Sequence, residues 1–139
     1  MTAHAHRAAL APSAWLWGGA AALVAGGAAY LGTHDPHVPG AYPPCVLLSI
    51  TGFYCPACGG TRAAYDLLHG DVAGAFARNP AVPVLLVLTV VGLGVRVWRR
   101  RSGREVRPVS VWVPVAIALA LLVFGILRNL PGWDFLSPA

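Results

Sequence analysis

Charged residues are scarce in this sequence. They make up 11% of its 139 residues, and lysine is absent, so that all ten basic residues are arginine. Soluble domains carry roughly 25% charged residues, whereas hydrophobic residues here reach 57%. Because so few polar side chains cannot cover a soluble surface, this composition excludes an ordinary globular protein. It predicts one domain at most, solvated largely by lipid.

Cysteine is scarce as well, with three residues, Cys45, Cys55 and Cys58. A second C-x-x-C pair is missing, which excludes a zinc site of four thiolates within one chain. No alternation of strand and helix patterns surrounds the one pair, which excludes a thioredoxin fold.

Three long apolar runs are predicted to cross the membrane as helices, at residues 14–31, 81–98 and 108–127. At about 1.5 Å per residue, each approaches the roughly 30 Å of a hydrocarbon core. The first run lacks a clear cleavage site, which favours an uncleaved span over a signal peptide. Pro114 is expected to kink the third span. The fold class is therefore an all-α membrane protein with three transmembrane helices.

The basic residues orient these spans. Six arginines lie at the end of the second run and in the segment before the third, which marks residues 99–107 as a cytoplasmic loop and disfavours a nucleic-acid partner. The N-terminus, 1–13, is then cytoplasmic, and the loop 32–80 and the tail 128–139 are exoplasmic. The six arginines are Arg96, Arg99, Arg100, Arg101, Arg104 and Arg107.

The exoplasmic loop is predicted to hold a short interfacial or re-entrant helical hairpin. Its helices cover Thr61 to Leu68 and Val72 to Arg78. Gly70 is expected just after the first helix, and Asp71 as the N-cap of the second. Upstream, the apolar piece from Cys45 to Thr51 is too short to span, and a lid, a strand-like segment or an interfacial dip all remain open.

Three interpretations of the cysteines remain open. A metal site, zinc foremost, would use Cys45, Cys55 and Cys58 with a histidine as fourth ligand, either His69, His34 or His37. A thiol–disulfide exchange site would use Cys55 and Cys58 as the redox pair. A structural bond would pin the loop over the helices.

The turn itself is expected to bring at least two of the three sulfur atoms together. Pro56 fixes one φ angle, and Gly59 and Gly60 permit a tight bend into the next helix. The Thr61 hydroxyl is expected to cap that helix.

The run C-P-A-C-G-G-T-R-A from Cys55, followed by Gly70-Asp71 and Asn79-Pro80, resembles the bacterial membrane-protein family called domain of unknown function 2752. Arg128-Asn129 followed by Pro131 resembles that family as well. The resemblance implies a small multi-span membrane protein and supplies no reaction.

A second constellation consists of charged side chains at the outer boundary. Arg62 and Asp66 are spaced to pair on one helix, and charges that dip inward need partners, which would mark a polar site. The candidates are Arg62, Asp66, Asp71, Arg78 and Arg128.

Three functions of different classes follow. The first is a non-enzymatic membrane component or accessory subunit that packs as a homo-oligomer or with a membrane-protein partner. The second is a thiol–disulfide exchange protein. The third is a metal-binding protein. The lipid bilayer is the expected surrounding in each.

Overall fold

The computed structural model describes residues 12–106 and 108–137, and within these ranges the chain is all helical, with no strand. The six α-helices and one 3-10 turn are α1 Pro12–Thr33, α2 Val46–Thr51, α3 Gly60–Leu68, α4 Val72–Arg78, α5 Ala81–Arg101, α6 Trp112–Leu127 and η1 Asp134–Leu136. Most of the predicted N-terminal segment 1–13, Arg107 of the basic loop and the last two residues of the tail lie outside the described residues.

Helix α5 is long and apolar enough to cross a membrane. Its 21 residues span about 31 Å at ~1.5 Å per residue. Only 6% of its most apolar window is buried within the chain, so it is not the core helix of a soluble fold. Helix α1 is longer by one residue, but much of it is Gly and Ala, which are less hydrophobic than Leu or Val.

Helix α6 is shorter than the apolar run that predicted it. It begins at Trp112 and has 16 residues, or about 24 Å. The expected kink at Pro114 is wrong, because this proline lies in the first turn of α6, where no intrahelical bond needs its missing N–H. At the start of this helix, the Ser110 carbonyl accepts the N–H of Val113 at 3.0 Å.

The predicted hairpin is confirmed as helices α3 and α4, which pack against each other. Gly70 follows α3 with φ +81°. The N–H of Asp71 donates to Asp66 O at 2.9 Å and that of Gly70 to Leu67 O at 3.1 Å, the bond pattern that ends many helices at a glycine. The Asp71 carboxylate then accepts the N–H of Gly74 at 2.8 Å and caps α4.

The piece after Cys45 is also helical. Cys45 is the N-cap residue of α2, and the Ser49 hydroxyl donates back to Cys45 O at 2.6 Å. The strand-like alternative is therefore wrong, since these residues bond within their own turn.

Burial in the chain is inverted relative to a soluble protein. Asn79 and Arg128 are the largest fully buried side chains, while Leu, Val and Trp side chains of α1, α5 and α6 are exposed. Ala63 on α3 and Ala75 on α4 are 0% exposed, and their small side chains let the hairpin helices approach closely. Helix α3 also contacts α1 and α5, and α4 contacts α5, so α1 and α5 meet at the hairpin.

We expect Asp71→Ala to lower the free energy of unfolding by about 1 kcal/mol, the usual contribution of an N-cap. Asp71→Asn keeps an accepting oxygen and should cost a few tenths at most. Thermal unfolding in detergent, followed by helical circular dichroism, measures both. Equal losses for the two variants would mean that the carboxylate acts through charge and not as a cap.

Candidate metal centre

The three cysteine sulfur atoms form one cluster. Cys45 Sγ lies 3.5 Å from Cys55 Sγ, which lies 3.4 Å from Cys58 Sγ, and all three lie within 4.8 Å of one another. The expectation that at least two sulfurs meet is confirmed, and Cys45 joins them. None of the three is in a disulfide.

Two local structures bring the sulfurs together. Between Cys55 and Cys58 the chain turns, with the N–H of Cys58 donating to Cys55 O at 3.1 Å. Gly59 then adopts φ +76°, which a residue with a side chain rarely does, and helix α3 begins at Gly60. Cys45 arrives from the other side, at the start of α2.

The expected Thr61 cap is wrong. Gly59 is the N-cap residue and no side chain caps α3, because the left-handed Gly59 lets the helix begin one residue earlier, with Ala63 N–H bonded to Gly59 O at 2.9 Å. Thr61 therefore lies inside the helix.

Three buried or half-buried side chains hold the turn by its backbone carbonyls. Asn79 Nδ2 donates to Pro56 O at 2.9 Å and to Cys58 O at 3.0 Å. Arg128 Nη1 donates to Cys55 O at 3.0 Å and to Cys58 O at 3.1 Å. Asn129 exchanges two bonds of 2.8 Å with the backbone of Tyr54. The contacts of Asn79 and Asn129 with the turn were not predicted from the sequence, where both residues belong to the motif that resembles the family.

Helix α6 approaches the turn closely at a glycine. A Cβ at Gly125 would lie 3.1 Å from Pro56 Cδ, so a larger residue there would press on the turn. The same face thus delivers Arg128 and Asn129 to the carbonyls.

The surroundings separate the acidities of the thiols. The backbone N–H of Leu48, followed by hydrogen bonds from the other two cysteines, lowers the pKa of Cys45 to about 7. Burial above all raises the pKa of Cys58 to about 12. Cys45 therefore deprotonates before Cys58, which needs a strong driving force, such as a metal ion, to do so.

A cavity of about 620 Å³ lies in front of the sulfurs, and all three cysteines, His37 and Arg62 line it. Among the described residues, the cluster of potential metal ligands contains the three cysteines alone. His69 is not part of it, because it follows α3 at the end away from Cys58; its Nδ1 lies 2.9 Å from Tyr65 O. His34 Nδ1 lies 3.0 Å from Tyr30 O at the end of α1.

His37 ties the preceding loop to α3. Its Nδ1 lies 2.8 Å from Asp35 Oδ1 and its Nε2 lies 3.3 Å from Asp66 Oδ1. The ring also meets that of Tyr65 edge-on, at 5.6 Å between centroids. Asp66 is 8% exposed, so this contact gives a buried carboxylate a partner.

The charged residues that were predicted to form one polar site have separate roles in the structure. Asp66 faces His37, Asp71 caps α4 and Arg128 holds the cysteine turn. Arg62 lines the cavity, and its pairing with Asp66 stays a prediction. Arg78 ends α4.

Comparison with known proteins confirms the resemblance noted from the motif. The family model described as "Protein of unknown function (DUF2752)" matches residues 45–93, from the first cysteine into α5. Neither the curated proteins nor the solved structures contain a match to the chain.

We expect Asn79→Asp to destabilise the turn, because it replaces the donor that faces two carbonyl oxygens with an acceptor. A buried carbonyl that loses its donor, or that faces a second acceptor, costs about 1–3 kcal/mol of stability. The measurement is the thermal midpoint in detergent together with the rate of cysteine alkylation, which should rise as the turn opens. Ser102→Ala, at the end of α5, is the control. An unchanged midpoint and alkylation rate would contradict the role of Asn79.

Proposed function

We propose that this chain is a non-enzymatic, multi-span membrane protein that binds one divalent, thiophilic metal ion through Cys45, Cys55 and Cys58. Zinc is the first candidate. The observation that carries the proposal is the set of three sulfur atoms within 4.8 Å of one another, held on a turn that other helices clamp.

The spacing of the sulfurs fits a shared ion. In a tetrahedral zinc site with Zn–S bonds of about 2.3 Å, neighbouring sulfurs are about 3.8 Å apart. The Cys45–Cys55 and Cys55–Cys58 sulfur separations, 3.5 and 3.4 Å, are slightly shorter, and small side-chain rotations would close the difference. A disulfide would need about 2.0 Å.

The protein supplies three ligands and leaves the fourth to the cavity. A bound zinc ion would act there as a Lewis acid or as a structural cross-link between α2 and the start of α3. Water or an external ligand can complete four-coordination, since both ring nitrogens of His37 face carboxylates. Asn79, Arg128 and Asn129 fix the turn before any ion arrives, so that little ordering remains to oppose binding.

Three membrane spans in the predicted orientation complete the proposal. The apolar, exposed side chains of α1, α5 and α6 support it, as does the arginine cluster at the end of α5, which is typical of a cytoplasmic boundary. The metal centre would then face the exoplasmic side. Exposed Gly and Ala along α1 are suited to helix–helix packing in a homo-oligomer or with a membrane-protein partner.

Labelling with an impermeant thiol reagent tests the orientation. In a chain with the native cysteines changed to serine, Ser102→Cys should be protected in intact cells and His37→Cys should react, because the first lies by the arginine cluster and the second in the outer loop. Lysed membranes are the control, where both should react. The reverse pattern in intact cells would refute the orientation.

Metal binding is tested on the purified full-length chain in detergent. We expect about one zinc per chain by elemental analysis and three thiols that are protected from alkylation until a chelator is added. Each single change to serine at Cys45, Cys55 or Cys58 should lower the affinity. His69→Ala should leave it unchanged, since His69 lies outside the cluster. Three freely reactive thiols at saturating zinc would contradict the proposal.

The short sulfur–sulfur distances and the low pKa of Cys45 also favour one alternative, thiol–disulfide exchange. The Cys45 thiolate would attack Cys55 Sγ of a Cys55–Cys58 disulfide, form a Cys45–Cys55 bond and release Cys58, which takes a proton. A thiol with a pKa of about 12 is a slow leaving group, which ranks exchange second. Intact mass separates the two: a disulfide removes about two daltons and leaves no zinc ligand set.

A further inference from the structure

Arg128 is a buried cation without a carboxylate partner. Its side chain follows α6 directly and is 2% exposed. Nη1 donates to the carbonyls of Cys55 and Cys58, whereas Nε and Nη2 have no hydrogen-bond partner. Across the described residues, no ion pair joins Arg128 to an Asp or Glu.

Aromatic faces cover the rest of the guanidinium. Its central carbon lies 4.9 Å from the centroid of Phe124 and 5.8 Å from that of Tyr54. Such contacts favour a cation modestly, but they do not offset the burial of a full charge, which normally requires an anion nearby. The hydrogen bonds of Nη1 place this charge on the turn that carries two of the three sulfur atoms.

We propose that Arg128 is the counter-charge of the cysteine centre: it neutralises the single net negative charge that three thiolates and one divalent ion leave. This inference rests on the proposed metal binding. Three thiolates contribute three negative charges, the ion two positive ones and Arg128 the last. The three thiolates, the ion and Arg128 together carry no net charge, which lowers the cost of burying them.

Because Arg128 would act through its position and its charge, the test must distinguish this role from stabilisation of the fold. Cadmium(II) and arsenous acid provide the contrast. Three thiolates on Cd²⁺ leave a net charge of minus one. Arsenous acid condenses with three thiols: three As–S bonds replace three As–O bonds, the thiol protons leave with the hydroxyls as three waters, and the product is neutral. A counter-charge matters for the first complex and not for the second.

The affinities of the full-length chain in detergent are measured for Cd²⁺ and for arsenous acid. Arg128→Gln keeps a donor for the carbonyls but removes the charge, and we expect it to weaken Cd²⁺ binding by roughly 10- to 100-fold, as loss of an outer partner of metal ligands typically does. Its arsenite affinity should stay within about 3-fold. Arg128→Lys should restore much of the Cd²⁺ affinity. Arg104→Gln is the control: it removes one positive charge at an exposed position after α5 and should change neither affinity.

Each outcome decides the matter. Equal losses for Cd²⁺ and arsenite in Arg128→Gln would make Arg128 a structural support only and overturn the inference, as would unchanged Cd²⁺ binding. In both cases the proposed metal function survives. A wild-type chain that binds neither ligand removes the proposed function, and the inference with it.

Discussion

The site depends on one set of hydrogen bonds, those from Asn79, Arg128 and Asn129 to the backbone carbonyls of the cysteine turn. A turn that contains Pro56 and ends in Gly59 has few internal bonds of its own. The three side chains reach it from the start of α5 and the end of α6, so that two long helices converge on the carbonyls of Tyr54, Cys55, Pro56 and Cys58. These donors, together with the turn's own bond from Cys58 N–H to Cys55 O, fix where the sulfurs point.

The same bonds explain why polar residues are inside and apolar ones outside. Buried amides and guanidinium groups are tolerated when they are bonded, and here the bonded partner is the turn. The apolar side chains of α5 and α6 need no partner within the chain if lipid surrounds them. Arg128 is the exception among these donors, since two of its nitrogens are unpaired; in the proposed metal-bound state, the ionised thiols would balance its charge.

Sequence patterns predicted the elements that are determined locally. Asp71, Gly70 and the two hairpin helices each depend on neighbours within about five residues, and the pattern of those neighbours was sufficient. The apolar run of α5 predicted that helix equally well.

The Thr61 cap and the Pro114 kink were wrong because both depend on the residue at which a helix begins. Gly59 and Ser110 determine these residues through backbone bonds that no side-chain pattern signals. The hydrogen bonds from Asn79 and Arg128 to the cysteine turn could not be predicted, because these residues are distant in sequence. Asn79 lies 23 residues from Pro56 and Arg128 lies 73 from Cys55, and only the folded chain brings them together. Likewise, only the folded chain shows that His69 lies at the far end of α3, outside the cluster of three cysteines.

X-ray absorption spectroscopy at the zinc edge, on the zinc-loaded wild-type chain in detergent, tests the central claim most directly. The account predicts three sulfur neighbours at about 2.3 Å and one nitrogen or oxygen neighbour at about 2.0–2.1 Å. A shell of nitrogen and oxygen alone, or of four sulfurs drawn from two chains, would contradict a three-thiolate centre within one chain.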